Sequence, residues 1–173
     1  IQQIYIVACG SAYHVGMAVQ YVIEEFSSIA VRVELASEFR YRKMKLAKNS
    51  LVIIISQSGE TADSLAALRM SKEAGVKTFG IVNVVGSSIA READSVFYTL
   101  AGPEISVATT KAYSTQLVAC YLLAIGFAKA RNEISDDRYN ELVKEIEQIT
   151  SEMNNTKEIA DQLENEAARF EKL

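Results

Sequence analysis

Apolar residues arrive in this chain in two rhythms. Short runs recur at Ile4 to Ala8, Val31 to Leu35, Leu51 to Ile55, Thr78 to Val82 and Val96 to Leu100. Several are almost unbroken, as expected for strands covered on both faces. Between them the spacing changes to three and four. Val15, Ala18, Val19, Val22, Ile23 and Phe26 fall on one helical face, and Ala62, Leu65, Ala66 and Met70 on another. The same spacing predicts a long helix from about Val107 to Ala130. Strands alternating with helices predict an α/β fold. The expected architecture is a three-layer αβα sandwich around a five-stranded parallel sheet.

The pattern shifts after Asn132. The remaining chain is charged and lacks Gly and Pro. Tyr139, Leu142, Val143, Ile146, Ile149 and Met153 make one apolar stripe, and Ile159, Leu163, Ala167 and Phe170 another. Two amphipathic helices are predicted, with a break at Asn154-Asn155-Thr156 and Thr156 as N-cap. The expected organisation is a globular domain over 1–130 and a helical connector over 131–173. The connector either packs on the domain or reaches toward a missing partner.

Composition narrows the field. A 173-residue chain with 49% hydrophobic residues suits one domain plus an appendage, and can bury a sizeable core. No apolar run is long enough to cross a membrane. The net charge of −4 argues against nucleic acid as a partner, because such binders carry a basic face. Cys9 and Cys120 are too few for a disulfide framework, so a reducing cytoplasm is the simplest compartment. One histidine, His14, leaves no multi-histidine metal site, and nothing in the sequence calls for a cofactor. The chain starts at Ile1, directly in a strand-like run, so an excised fragment is expected.

The candidate chemistry lies in Ser56-Gln57-Ser58-Gly59-Glu60-Thr61. A hydroxyl-rich turn from a buried strand into a helix start is a place to hold an anion. First-turn N–H groups are free, the helix dipole favours negative charge, and hydroxyls add donors. Gly59 allows close backbone approach. A phosphate ester is the expected guest. In a sheet of order 2-1-3-4-5, ligands bind beyond the carboxyl ends of strands one and three. That brings Cys9-Gly10-Ser11-Ala12 beside the turn. The loop Asn83 to Ser88 and the segment Val107 to Lys111 follow along the same edge.

Plainer readings compete. Ser58 or Thr61 taken singly reads as a helix cap, and so do Ser87 and Ser88. Four polar side chains exceed what one helix start needs, which favours a ligand. Glu60 would repel phosphate and is expected to point away. Cys9 ends an apolar strand and reads as a small buried hydrophobe, with no evident base to activate it. His14 is expected at a surface or interface. Lys111 fits either a phosphate contact or a solvated helix position. Gly10 and Gly16 suggest a dinucleotide fingerprint, but Ala12 stands where the second glycine belongs. No Gly-Lys-Ser or Gly-Lys-Thr is present, which excludes a Walker loop.

At these residues the chain resembles the sugar isomerase (SIS) domain family, a flavodoxin-like fold. The turn Ser56 to Thr61 and the preceding Cys9-Gly10 carry that resemblance. Ala36-Ser37-Glu38-Phe39-Arg40-Tyr41-Arg42 and Ser56 to Asp63 are similar to the first SIS domain of the glucosamine-6-phosphate synthase family. So are Ala101-Gly102-Pro103-Glu104-Ile105 and Thr110-Lys111-Ala112. The resemblance covers about residues 1 to 130. It implies that Ser56, Gln57, Ser58 and Thr61 hold a sugar phosphate, that Cys9, Gly10 and Ser11 line the sugar, and that Val107 and Thr109 close the site. Ala12 stands where the family has a hydroxyl, Val85 replaces a proline, and Thr109 replaces a serine. Members of that family also carry a glutaminase domain and a second SIS domain, which supply the catalytic groups. The resemblance therefore implies no catalytic residue here, an inactive fragment, and pairing with itself as a homodimer. A phosphosugar-sensing regulator and a related deglycase or isomerase stay open as alternatives.

Overall fold

The computed structural model describes residues 1–43, 45–105 and 109–154. The chain divides into two compact units, the first over Ile1–Ile134 and the second from Ser135 onward. In the first, β1 (Gln3–Ala8), β2 (Ala30–Leu35), β3 (Ser50–Ser56), β4 (Lys77–Val82) and β5 (Ser95–Tyr98) form one sheet. The strand order is β2-β1-β3-β4-β5 and every pairing is parallel. The helices are α1 (Ser11–Phe26), α2 (Ala36–Phe39), α3 (Ala62–Glu73), α4 (Ser88–Glu92) and α5 (Lys111–Ala130). The second unit holds α6 (Asp136–Asn154).

The unbroken apolar runs feed two cores. Ile4, Ile6, Leu51, Ile53 and Ile55 pack under α1 and α5, with Val15, Val19, Ala119 and Ala124. Tyr5, Val7, Val52 and Ile54 face the opposite way, under α2, α3 and α4, with Phe39, Leu68 and Ile89. Successive strand residues point to opposite faces, so burial on both faces requires apolar residues at every position. The expected three-layer sandwich and strand order are observed.

Gly16 has a packing role. A Cβ there would lie 2.8 Å from Ile6 Cγ2 and 2.9 Å from Val33 Cγ1, so glycine lets α1 sit close on the sheet. At the opposite edge, the Asp94 carboxylate accepts from the Thr78 backbone N–H and hydroxyl, both at 2.8 Å. These bonds tie the entry of β5 to the entry of β4. In α6, the Ser135 hydroxyl accepts from Arg138 N at 3.1 Å, and Asp136 and Asp137 suit the helix start. The stripe from Tyr139 to Ile149 lies on this helix. The helix expected over Ile159 to Phe170, and Thr156 as its cap, lie outside the described residues.

Two boundaries differ from expectation by more than one residue. β5 ends at Tyr98, not Leu100, because Leu100 turns to φ 50°. Asn83 fixes that exit. Its Oδ1 accepts from Ala101 N at 2.7 Å and from the Thr99 hydroxyl at 3.2 Å, and its Nδ2 donates to Gly102 O at 2.8 Å. Helix α5 begins at Lys111, not near Val107. Thr109 lies outside the helix and Thr110 takes the N-cap position, where threonine is a favoured residue. No helix among the described residues is long and apolar enough to cross a membrane.

Candidate functional site at the carboxyl edge of the sheet

Strand order reverses between β1 and β3, and a crevice opens beyond their carboxyl ends. It is a cleft of about 360 Å³. The turn from β3 into α3 supplies one wall through Ser56, Gln57, Ser58 and Thr61. The turn from β1 into α1 supplies another through Cys9, Gly10, Ser11 and Ala12. Thr109, just ahead of α5, and Gln116 within it complete the lining with Ile55. Eight of the nine residues expected at the site thus meet in one cleft. The ninth, Val107, lies outside the described residues.

The β3–α3 turn is held by its own hydroxyls. Ser56 is 4% exposed, and its Oγ accepts from Gly59 N at 3.0 Å and lies 3.2 Å from Thr61 Oγ1. Ser58 Oγ accepts from Glu60 N at 3.2 Å. A hydroxyl that accepts a backbone N–H still has its own proton to donate. The turn is therefore rigid from within and keeps O–H donors for a guest. Thr61 stands at the N-cap position of α3 but makes no side-chain capping bond. The simple cap reading fails for it, because its hydroxyl pairs with Ser56.

Gly59 has φ 68°, and a Cβ there would meet Ser87 Oγ at 2.1 Å. The turn is also strapped to α4. Gly59 O accepts from Ile89 N at 3.0 Å, and Glu60 Oε1 accepts from Ser88 N at 2.7 Å. Glu60 points away from the cleft, as expected, and caps a neighbouring helix. Its bonds from Ser88 hold its carboxyl below the usual carboxylate range. Ser87 makes no side-chain cap, and its buried Oγ has no partner among the described residues. Its expected role as a cap is corrected, since Glu60 takes that place.

Electrostatically, the cleft receives the N-termini of α1 and α3, which favours an anion. The one acid in the first turn of α3, Asp63, is engaged by Arg40 at 2.6 Å. No carboxylate, amine or imidazole lines the cleft among the described residues. Lys111 donates to Pro103 O, and His14 is exposed, edge-on to Tyr13. Cys9 is half-buried rather than fully buried, with Ser64 Oγ 4.0 Å from its sulfur. Cys120 is buried, and burial pushes its thiol up to about 12. No group of His, Cys, Asp and Glu among the described residues could hold a metal ion. The lining suits hydrogen bonding to a polar anion and offers no evident base.

One lining residue escaped the sequence reading. Gln116 is 1% exposed, and neither its Oε1 nor its Nε2 has a partner among the described residues. Its signal is a polar residue within the buried stripe Ala112, Ala119 and Cys120 of α5.

Comparison with known proteins decides the family. The SIS domain family matches residues 1–126. The chain belongs to the SIS domain family. Over 153 residues this SIS domain is 54% identical to a glutamine–fructose-6-phosphate aminotransferase (isomerizing) of Clostridium acetobutylicum, covering 88% of the chain and 24% of that protein. Among solved structures it is similar to the C-terminal domain of glucosamine-fructose-6-phosphate aminotransferase from Francisella tularensis. There the TM-score is 0.91 at 40% identity, over 98% of this chain and 48% of that one. It is also similar to glucosamine-6-phosphate deaminase from Thermotoga maritima, with TM-score 0.71 and 27% identity over 83% of this chain and 44% of that one. The chain spans about a quarter of the length of the curated relatives it matches.

Proposed function

We propose that this SIS domain is the sugar-phosphate-binding half of the isomerase region of a glutamine–fructose-6-phosphate aminotransferase. Such an enzyme makes glucosamine 6-phosphate from fructose 6-phosphate and glutamine. The observation that carries the reading is the β3–α3 turn. Its Ser56, Ser58 and Thr61 hydroxyls face one cleft at two helix N-termini, within a chain 54% identical to such an enzyme. Ser56, Gln57, Ser58 and Thr61 take the phosphate. Cys9, Gly10, Ser11 and Thr109 take the sugar, and Val107 closes it.

Moving a proton between adjacent carbons needs a base within reach of the substrate. The described lining supplies none. Glutaminase and second SIS domains, absent from this sequence, complete the chemistry, and the domain over 1–130 pairs with a second copy. The connector over 131–173 leads toward that second SIS domain. The chain alone binds and does not turn over.

Calorimetric titration with glucosamine 6-phosphate and fructose 6-phosphate tests the reading, with Ser58→Ala as the site control. Saturable binding that Ser58→Ala abolishes is expected. Absence of binding to the folded chain, or glucosamine 6-phosphate formation by it, overturns the proposal. The likeness to a glucosamine-6-phosphate deaminase supports a second reading, in which the same cleft serves a related aldose–ketose enzyme.

A further inference from the structure

Gln116 lines the cleft, and its carboxamide has no partner among the described residues. Its position is the sixth residue of α5, about 7.5 Å along the axis from Lys111. The buried helical neighbours on its face are Ala112, Ala119 and Cys120, which are small and carry no strong donor or acceptor side chain; Tyr113, one turn back, is only partly buried. A carboxamide buried at 1% exposure, with both atoms unpaired among the described residues, is costly. An apolar residue of similar size would avoid that cost. The side chain lines the same cleft as the Ser56–Thr61 turn.

The two features stand on opposite sides of the sheet edge. The turn leads into α3, whose core lies on one face, and α5 packs on the other. The cleft, about 360 Å³, has room well beyond a phosphate group. No charged side chain lines the rest of it among the described residues. What fits beside the phosphate is a neutral, polar body. A carboxamide offers two donors and one acceptor, which suits a hydroxyl–carbonyl chain.

We propose that Gln116 is a specificity-determining residue, whose carboxamide hydrogen-bonds the hydroxyl or carbonyl oxygens of a phosphosugar seated by its phosphate on the Ser56–Thr61 turn. This rests on the sugar-phosphate reading of the cleft. Gln116 selects the polyol body and contributes little to holding the anion.

The test is calorimetric titration of the 173-residue chain and its Gln116→Met and Gln116→Leu variants with fructose 6-phosphate and with inorganic phosphate. Circular dichroism and thermal unfolding report the fold. Fructose 6-phosphate affinity falls about tenfold in both variants, while inorganic phosphate affinity stays unchanged. Ser58→Ala, in contrast, abolishes binding of both ligands. Three results overturn the proposal and leave the sugar-phosphate reading standing. They are unchanged fructose 6-phosphate affinity, equal loss of both ligands, and unfolding of both variants, which makes Gln116 structural. An unmodified chain that binds neither ligand overturns both.

Discussion

Gly59→Ala separates two ways in which the β3–α3 turn depends on glycine. The first is conformational. At φ 68°, an L-residue pays about 1–2 kcal/mol for the left-handed region. The second is steric. The new Cβ would lie 2.1 Å from Ser87 Oγ and 2.5 Å from Ser87 Cβ, closer than any real contact. Ser87 cannot retreat freely, because α4 is strapped to the turn through Ile89 N and Ser88 N. Overpacking of this kind costs about 1–3 kcal/mol. The sum is about 2–5 kcal/mol, or a melting temperature lower by roughly 10 °C in a chain of this size. Gly86→Ala is the internal control. Its φ is 74° and nothing lies within 4 Å of the added Cβ, so it loses only the conformational part. Thermal and urea unfolding of both variants, and of Gly59→Ala with Ser87→Gly, give three numbers. The double variant regains the steric share, since glycine at an N-cap costs only a few tenths of a kcal/mol. If Gly59→Ala is no worse than Gly86→Ala, or if Ser87→Gly restores nothing, the close-approach reasoning is wrong.

Ser56→Ala leaves the buried Gly59 N–H without its acceptor and lowers stability by about 1–3 kcal/mol in urea denaturation. A variant as stable as the parent would show that the turn is held by something else. Asp94 sits below its ordinary carboxylate pKa, chiefly through the Thr78 backbone N–H, so the stability it confers is present above about pH 4 and drains away as pH falls through its lower folded value. Asp94→Asn therefore flattens part of the acid limb of melting temperature against pH, and an unaltered limb argues against that linkage. With its thiol pushed up to about 12, Cys120 stays unlabelled by iodoacetamide at pH 8 while half-buried Cys9 reacts. Mass spectrometry checks this, and glucosamine 6-phosphate slows the Cys9 reaction. Equal labelling of both native cysteines would contradict the burial.

The sheet was legible in the sequence because burial on both faces forces apolar residues at consecutive positions. Ile53, Ile54 and Ile55 record two cores at once. The cleft was legible because hydroxyls beyond the needs of a helix start gathered at one strand end. What stayed hidden depends on contacts across the chain. Glu60 caps a helix 28 residues away, which displaced Ser87 from the capping role. Asn83 arrests β5 by binding the backbone of residues 101 and 102, so a strand-like run ended early. Gln116 was masked by the apolar company of its helical face, where periodicity registers a stripe but not the cavity beside it. The start of α5 was misplaced because spacing alone does not mark where a helix begins, and Thr110 takes the N-cap position ahead of Lys111.

The first strand in sequence is the middle of the sheet's reversal, flanked by β2 and β3 over its whole length. Trimming Gln3–Ala8 would not shorten an edge. It would split the sheet into an isolated β2 and a β3–β4–β5 remnant, and remove the strand that carries Cys9 to the cleft. A purification tag or fused domain placed ahead of Ile1 is a different matter. It would leave from the amino ends of the strands, about 20 Å from the carboxyl edge. Loss of Gln3–Ala8 removes a central strand, whereas a segment joined ahead of Ile1 stays clear of the cleft.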